Sequence, residues 1–468
     1  MTLIYDVAVI GAGTAGLAAE RAARAAGANT LLIDPQFAGT TCARCGCMPS
    51  KLLIAAARAA QAVRRAPDFG VGASAPAVDG RAVMKRVRDL RDRFTAGVEA
   101  DIAALPEGVK RRGSARFLGP TRLGLDDGAE IEARAVVIAT GARPALPPAF
   151  AALGDRALTH ESLFTLTDLP ARLGVIGAGP LGLELAQAFA RLGVEVAVFD
   201  QGQTLGGVAA DGPIGAALRD VLTRDLALHL DTEVIAEAEG DGVRLRWHGA
   251  SQGSLMVDRL LVATGRPPAL DELDLAATGL VLPEDGSLPI DPETLQLGAG
   301  PLFMAGDADG VRPVLHEAST EGAIAGRNAA LYPQIARVRR DPPFSILFTE
   351  PSLALIGETD RADALIGESD YRDQGRATID GVADGLARLH AAPDGRLIGA
   401  EIFAPGAEHL GHLLAWAIAD GLAAHQLLDR PFYHPTLEEG LKPALRALCA
   451  RAGTMPPAER DEGSPAGP

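Results

Sequence analysis

A glycine pattern that occurs twice constrains this chain more than any other feature. Tyr5-Asp6-Val7-Ala8-Val9-Ile10 reads as a short buried strand that runs into Gly11-Ala12-Gly13-Thr14-Ala15-Gly16. An alanine-rich helical stretch and a second apolar strand, Thr30 to Ile33 ending in Asp34, follow. The same order returns at Leu173 to Ile176, then Gly177-Ala178-Gly179-Pro180-Leu181-Gly182, a helix through Leu192, and a strand Glu195 to Phe199 ending in Asp200. One such turn is a weak signal. Two, each between strand and helix and each with an acid at the end of the next strand, predict two dinucleotide-binding βαβ units and an α/β fold.

The chemistry explains the spacing. Glycines permit the tight turn, let backbone N–H groups approach a pyrophosphate and allow close helix packing, while the helix N-terminus supplies partial positive charge. The carboxylate at the following strand end accepts hydrogen bonds from an adenosine ribose. Asp200 is followed by Gln201-Gly202-Gln203-Thr204-Leu205-Gly206-Gly207, which offers no cation for a ribose 2′-phosphate. NAD(H) is therefore expected at the second turn rather than NADP(H).

At 468 residues the chain suggests about three domains of ~150 residues each. Its 44 basic and 60 acidic side chains give a net charge of −16, a field that repels nucleic acid and anionic lipid. The first ten residues lack a basic segment leading into an apolar one, and no run of about 18 apolar residues occurs. The expectation is a cytoplasmic protein with no membrane and no nucleic-acid partner.

Three of the four cysteines, Cys42, Cys45 and Cys47, fall in one short stretch, and Cys449 stands apart. That is not a secreted disulfide framework, and in a reducing compartment such a cluster is catalytic or metal-binding. The stretch ends in Met48-Pro49-Ser50-Lys51, and a helix is predicted over Leu52 to Arg65. Thiolates near a helix N-terminus are stabilised, which suits a redox pair. Cysteines five apart align badly on a 3.6-residue period and can be bridged only where the helix is distorted, a freedom that Gly46 supplies. A metal reading is weaker, because Cys42-x-x-Cys45 has no second ligand pair elsewhere. Three small buried side chains are the remaining alternative.

The ordered set of first glycine turn, Cys42-x4-Cys47 with Pro49-Ser50-Lys51, second glycine turn, Ala305-Gly306-Asp307 and His434-Pro435-Thr436-x-x-Glu439 resembles the class I FAD-dependent pyridine nucleotide-disulfide oxidoreductases. Within that family the likeness is nearest to the dihydrolipoamide dehydrogenases, and it covers nearly the whole chain. It implies two Rossmann-like domains, for FAD and for NAD, plus a C-terminal α+β dimerisation domain. The expected boundaries are an FAD-binding domain 1–150, an NAD-binding domain 151–265, a central segment 266–335 completing the FAD site, a dimerisation domain 336–452 and a disordered tail 453–468.

By the same likeness Gly11, Gly13, Gly16 and Asp34 would hold the ADP half of FAD, and Asp307, after Gly306, its ribityl chain. NAD would take Gly177, Gly179, Gly182 and Asp200. Ala139-Thr140-Gly141 and Ala263-Thr264-Gly265-Arg266-Pro267 match crossings between domains, where small residues let chain and cofactor approach closely. Lys51 and Glu184 match an ion pair beside the flavin ring, the carboxylate sparing the cation from burial alone. Cys42 and Cys47 would be the redox pair, with Cys47 nearer the flavin. His434, its tautomer fixed by Glu439, would take a proton from a substrate thiol, and this pair would come from the other subunit of a homodimer.

The activity implied is dihydrolipoamide oxidation by NAD+, on a lipoyl-bearing carrier protein or a small dithiol. Alternatives are NADH-dependent reduction of another disulfide or of a metal ion and, in a different class, a flavin-bearing redox sensor with little turnover. Several residues depart from the family pattern. Cys45 is an unusual member of the cysteine motif and reads as a passive buried side chain. Phe432-Tyr433 and Glu438 alter the surroundings of His434. No resident metal is expected: His409-x-x-His412 reads as packing or solvent-facing. Arg81 to Phe94, interrupted by Asp89 and Asp92, reads as a solvated helix. His316 reads as structural, and Cys449 lacks the neighbouring C-terminal cysteine that mercuric reductases carry.

Overall fold

The computed structural model describes residues 3–281, 283 and 287–454. The chain enters through β1 (Leu3–Ile10), α1 (Thr14–Ala25) and β2 (Thr30–Asp34), then α2 (Thr41–Arg44), α3 (Cys47–Arg65) and α4 (Gly80–Ala103). Strands β3 (Lys110–Arg112), β4 (Ala115–Phe117), β5 (Arg122–Leu125) and β6 (Glu130–Ile138) complete most of the first sheet. Its order is β3-β2-β1-β6-β5-β4. Strand β1 lies parallel between β2 and β6, and its Val7, Ala8 and Val9 are fully buried. One face of β1 packs on α1 and the other on β4, β5 and residues within 270–308, which leaves no solvated side, hence the near-continuous apolar run read in the sequence.

Strand β6 changes partner along its length. Its first residues pair antiparallel with β5, and its last three pair parallel with Leu302–Met304. The chain therefore builds a second sheet before it returns to the first. That second sheet is wholly parallel, in the order Ala227–His229, Glu195–Phe199, Arg172–Ile176, Arg259–Val262, Ala157–Leu158. A three-stranded antiparallel sheet spans residues 232–257. Near the C-terminus, a five-stranded antiparallel sheet between residues 344 and 404 is covered by helices Ala407–Ala419 and Lys442–Ala452.

The return crossing depends on small residues. Helix Leu315–Leu331 lies on α1 so closely that a side chain at Gly322 would meet the Ala15 carbonyl oxygen at 2.2 Å, and one at Gly326 the Ala19 carbonyl oxygen at 2.1 Å. This contact sets Gly306 beside Ala15, next to the first glycine turn.

Two expectations need adjustment. The helix predicted from Leu52 starts at Cys47, because Pro49 falls in the first turn, where an N–H would have no intrahelical partner anyway. The basic stretch Arg81 to Phe94 lies on α4, but it is not simply solvated. Arg88 and Arg91 donate to the carbonyls of Leu166 and Phe164, and Met84 and Val87 are buried. Of the expected tail, Gly453 caps the last helix with a φ of 66°, and residues 455–468 lie outside the described residues. Among the described residues, no helix is long and apolar enough to cross a membrane.

Candidate active site

The two glycine turns superimpose in their contacts. Ile10 pairs with Ile33 and Ile176 with Phe199, so each acid leaves its strand at the same place relative to its turn. Gly11 has a φ of 101° and Gly177 of 110°, and a side chain there would strike the carbonyl oxygen of Ala139 or Ala263, in both cases at 2.4 Å. A side chain at Gly16 would meet the Gly11 carbonyl oxygen at 1.8 Å, and one at Gly182 the Gly177 carbonyl oxygen at 2.1 Å. Gly13 and Gly179, by contrast, face open space. The outer glycines are thus required by protein backbone, and the middle one leaves room for a ligand.

The acids do more than the sequence reading assigned them. Asp34 accepts from the backbone N–H of Ala12 at 2.9 Å and from those of Gln36 and Phe37. Asp200 accepts from Ala178 and Gly202, both at 2.7 Å. Each carboxylate shapes its own turn, while the remaining lone pairs on its oxygens can still receive a ribose hydroxyl.

Next to the first turn lies a cavity of about 670 Å³ lined by Gly13, Cys42, Cys47, Lys51, Gly141, Arg266 and Asp307. Cys42 sits on α2, and Cys47 opens α3. The helix breaks between them at Cys45 and Gly46, which is the distortion that a five-residue spacing demands. Both sulfurs are thiols, and they hydrogen-bond to each other. The bond from Cys42 holds Cys47 down to about 6, with Lys51 reinforcing it against burial. The same bond, with burial, pushes Cys42 well above the ordinary thiol range. One thiolate shared in this way is the reactive form for disulfide exchange.

Lys51 and Glu184 come together across two sheets, α3 meeting helix Pro180–Arg191, at 2.8 Å. The second Glu184 oxygen accepts from the Phe348 N–H at 2.9 Å, and the ammonium lies 4.1 Å from the centre of the Phe348 ring. Glu184 is 5% exposed, so the pair compensates charge that burial alone would penalise. Arg266 ion-pairs with Asp307 at 2.6 Å. Thr140, between Ala139 and Gly141, keeps a buried hydroxyl without a partner among the described residues, and the left-handed Gly265 faces open space. A bare glycine turn and a dithiol along one cavity, with the unpaired Thr140 hydroxyl on the chain between two of its lining residues, Ala139 and Gly141, fit a dinucleotide bearing a flavin.

His434 Nδ1 lies 2.9 Å from Glu439, which also accepts from the Thr436 N–H at 3.2 Å. The predicted couple exists, but it does not line the cavity that holds Cys42 and Cys47 in the same chain. His434 and its neighbour Tyr433 are largely exposed. His316 and His412 do line that cavity, beside Phe344 and Trp416. His409 is exposed, and Cys449 is fully buried in the last helix.

Sequence reasoning missed Phe348, His160 and Glu161. His160 and Glu161 open a one-turn helix, and their polar atoms gather with the Cys45 thiol within 4.8 Å. Burial, and then the Arg266 guanidinium, push His160 down to about 4, so its imidazole is neutral. Nothing local marks residues 160 and 161 as neighbours of Cys45.

Residues 5–322 match the pyridine nucleotide-disulphide oxidoreductase family, and residues 344–445 match the pyridine nucleotide-disulphide oxidoreductase dimerisation domain. The chain is 32% identical to a mercuric reductase of Acidithiobacillus ferrooxidans over 94% of this chain and 82% of that one. It is 29% identical to a dihydrolipoyl dehydrogenase of Chlamydia trachomatis over 98% and 100%. Its fold is similar to the crystal structure of LpdA from Mycobacterium tuberculosis, with a TM-score of 0.80, 25% identity, and coverage of 95% and 99%.

Proposed function

Because the chain belongs to the pyridine nucleotide-disulphide oxidoreductase family, and so uses FAD and NAD(H), we propose that it is an NAD-linked dithiol–disulfide oxidoreductase working through Cys42 and Cys47. Its substrate in this reading is a dihydrolipoamide-type dithiol. The observation that carries the reading is the hydrogen-bonded thiol pair at the helix break, with Cys47 held near 6 and lining one cavity with the first glycine turn.

In the working cycle the pair starts as a disulfide. A substrate thiolate attacks Cys42, breaking the S–S bond and leaving Cys47 as thiolate. The second substrate sulfur then attacks the first, releasing Cys42 and closing the cyclic disulfide, so two electrons have passed to the protein dithiol. When bound, FAD and NAD+ supply the two-electron acceptor and the hydride acceptor. Gly11, Gly13, Gly16, Asp34, Thr140, Gly141, Gly306 and Asp307 would hold FAD, and Gly177, Gly179, Gly182, Asp200 and Gly265 would lie along NAD. Lys51, neutralised by Glu184, stabilises negative charge at Cys47 and beside it.

The proton acceptor is His434, oriented by Glu439. Because that couple stands apart from the thiols of its own chain, it acts in a second copy, bound through residues that match the dimerisation domain. Exposed Leu413, Trp416 and Tyr433 lie within those residues and supply apolar surface for the contact.

Anaerobic titration with dihydrolipoamide tests the reading. A long-wavelength thiolate-to-flavin band is expected in the unmodified protein and not in Cys47→Ser, and an unmodified protein without the band contradicts the relay. A second reading, reduction of a metal ion, is favoured by the similarity to mercuric reductases. Against it stands Cys449, which is fully buried within the last helix. Turnover of NADH with Hg2+ exceeding turnover with lipoamide would reverse the preference.

A further inference from the structure

Cys45, His160 and Glu161 form a cluster outside the cavity of the redox thiols; none of the three lines it. Their sulfur, nitrogen and oxygen atoms all lie within 4.8 Å of one another. His160 is 4% exposed, and a ring nitrogen of it lies within 4.8 Å of the Cys45 sulfur and of a Glu161 carboxylate oxygen. Glu161 is exposed and opens the cluster to solvent.

We propose that Cys45, His160 and Glu161 are a binding site for a borderline divalent cation of the zinc type. Thiolate, imidazole and carboxylate are the donors that such an ion prefers, and its bond lengths of about 2.0–2.3 Å set tetrahedral donor atoms roughly 3.5 Å apart. Rotation of the exposed Glu161 supplies most of the closing movement. On binding, the Cys45 S–H bond breaks, the proton leaves to solvent and an S–metal bond forms, with no change of oxidation state. Thiolate and carboxylate neutralise the dication, so the occupied site carries no net charge of its own beside Arg44 and Arg266, the cations that face Cys45. Water fills the fourth position.

The site joins distant parts of the fold. Cys45 caps α2 between the two redox cysteines, whereas His160 follows strand Ala157–Leu158 of the second sheet. A bound cation therefore braces the segment that carries Cys42 and Cys47 against the second sheet.

The test uses the full chain with Cys42→Ser and Cys47→Ser, so that the redox pair cannot take the metal, and a phosphine in place of a thiol reductant. After equilibrium dialysis against Zn2+, metal is counted by mass spectrometry. One zinc per chain is expected. Adding Cys45→Ser removes it, and adding Glu161→Gln weakens binding at least ~10-fold; Glu161 is exposed, so its replacement leaves folding intact. A double variant that retains no zinc overturns the proposal, as does zinc that survives Cys45→Ser with unchanged affinity. The readout needs neither flavin nor turnover, so it stands apart from failure of the dithiol relay.

Discussion

Cys47 draws its reactivity from two neighbours, a hydrogen bond from Cys42 and the charge of Lys51. Acid protonates it, so in the reduced protein iodoacetamide alkylation of Cys47 is expected to rise through a midpoint near pH 6 and to fall away below it. Removing Lys51 deletes one stabiliser of the thiolate, and in Lys51→Ala the same profile is expected at higher pH. An unchanged midpoint would assign the whole effect to Cys42. Asp200 carries a different expectation. Asp200→Ala removes the carboxylate that would repel a 2′-phosphate and should weaken discrimination against NADPH, measured as the ratio of kcat/KM values for the two nucleotides. It also removes the acceptor of two turn amides, so poorer binding of both nucleotides should accompany the change. The spacing in the sequence marked Asp200 as a ligand group, but only the folded turn reveals its second task.

Breaks and close crossings between elements matter more here than the elements themselves. Arginines on α4 hold the carbonyls of Phe164 and Leu166, just after the His160 turn. The cysteine spacing already implied a distorted helix start, because that argument needs only the helical period. The crossing of α1 with helix Leu315–Leu331 was not legible, since glycine and alanine in a helix announce neither their partner nor its distance. At Gly326 a larger side chain has no room beside the Ala19 carbonyl. Gly326→Leu is expected to cost at least ~1–3 kcal/mol, read as a lower urea midpoint, with loss of bound flavin as the crossing opens. Normal stability in that variant would show that the two helices can separate without consequence.

Over the whole molecule, the candidate chemistry is divided. Thiols, the ion pair and the first glycine turn meet in one chain, while His434 and Glu439 stand elsewhere. His434→Gln is expected to lower dithiol turnover by ~10²–10⁴-fold while flavin reduction by NADH continues. Hybrid dimers of Cys42→Ser with His434→Gln chains should regain one working site. Inactive hybrids would place the base within its own chain. The sequence was sufficient for the doubled βαβ unit, its glycines and acids, and the helix break at the thiols, because each depends on the geometry of a few consecutive residues. The resemblance of ordered motifs extended that reading to Lys51 with Glu184. Folding alone brought Cys45 to His160, Gly306 to Ala15 and Phe348 to Lys51. Such meetings arise from long-range packing, in which distance along the chain carries no information about distance in space.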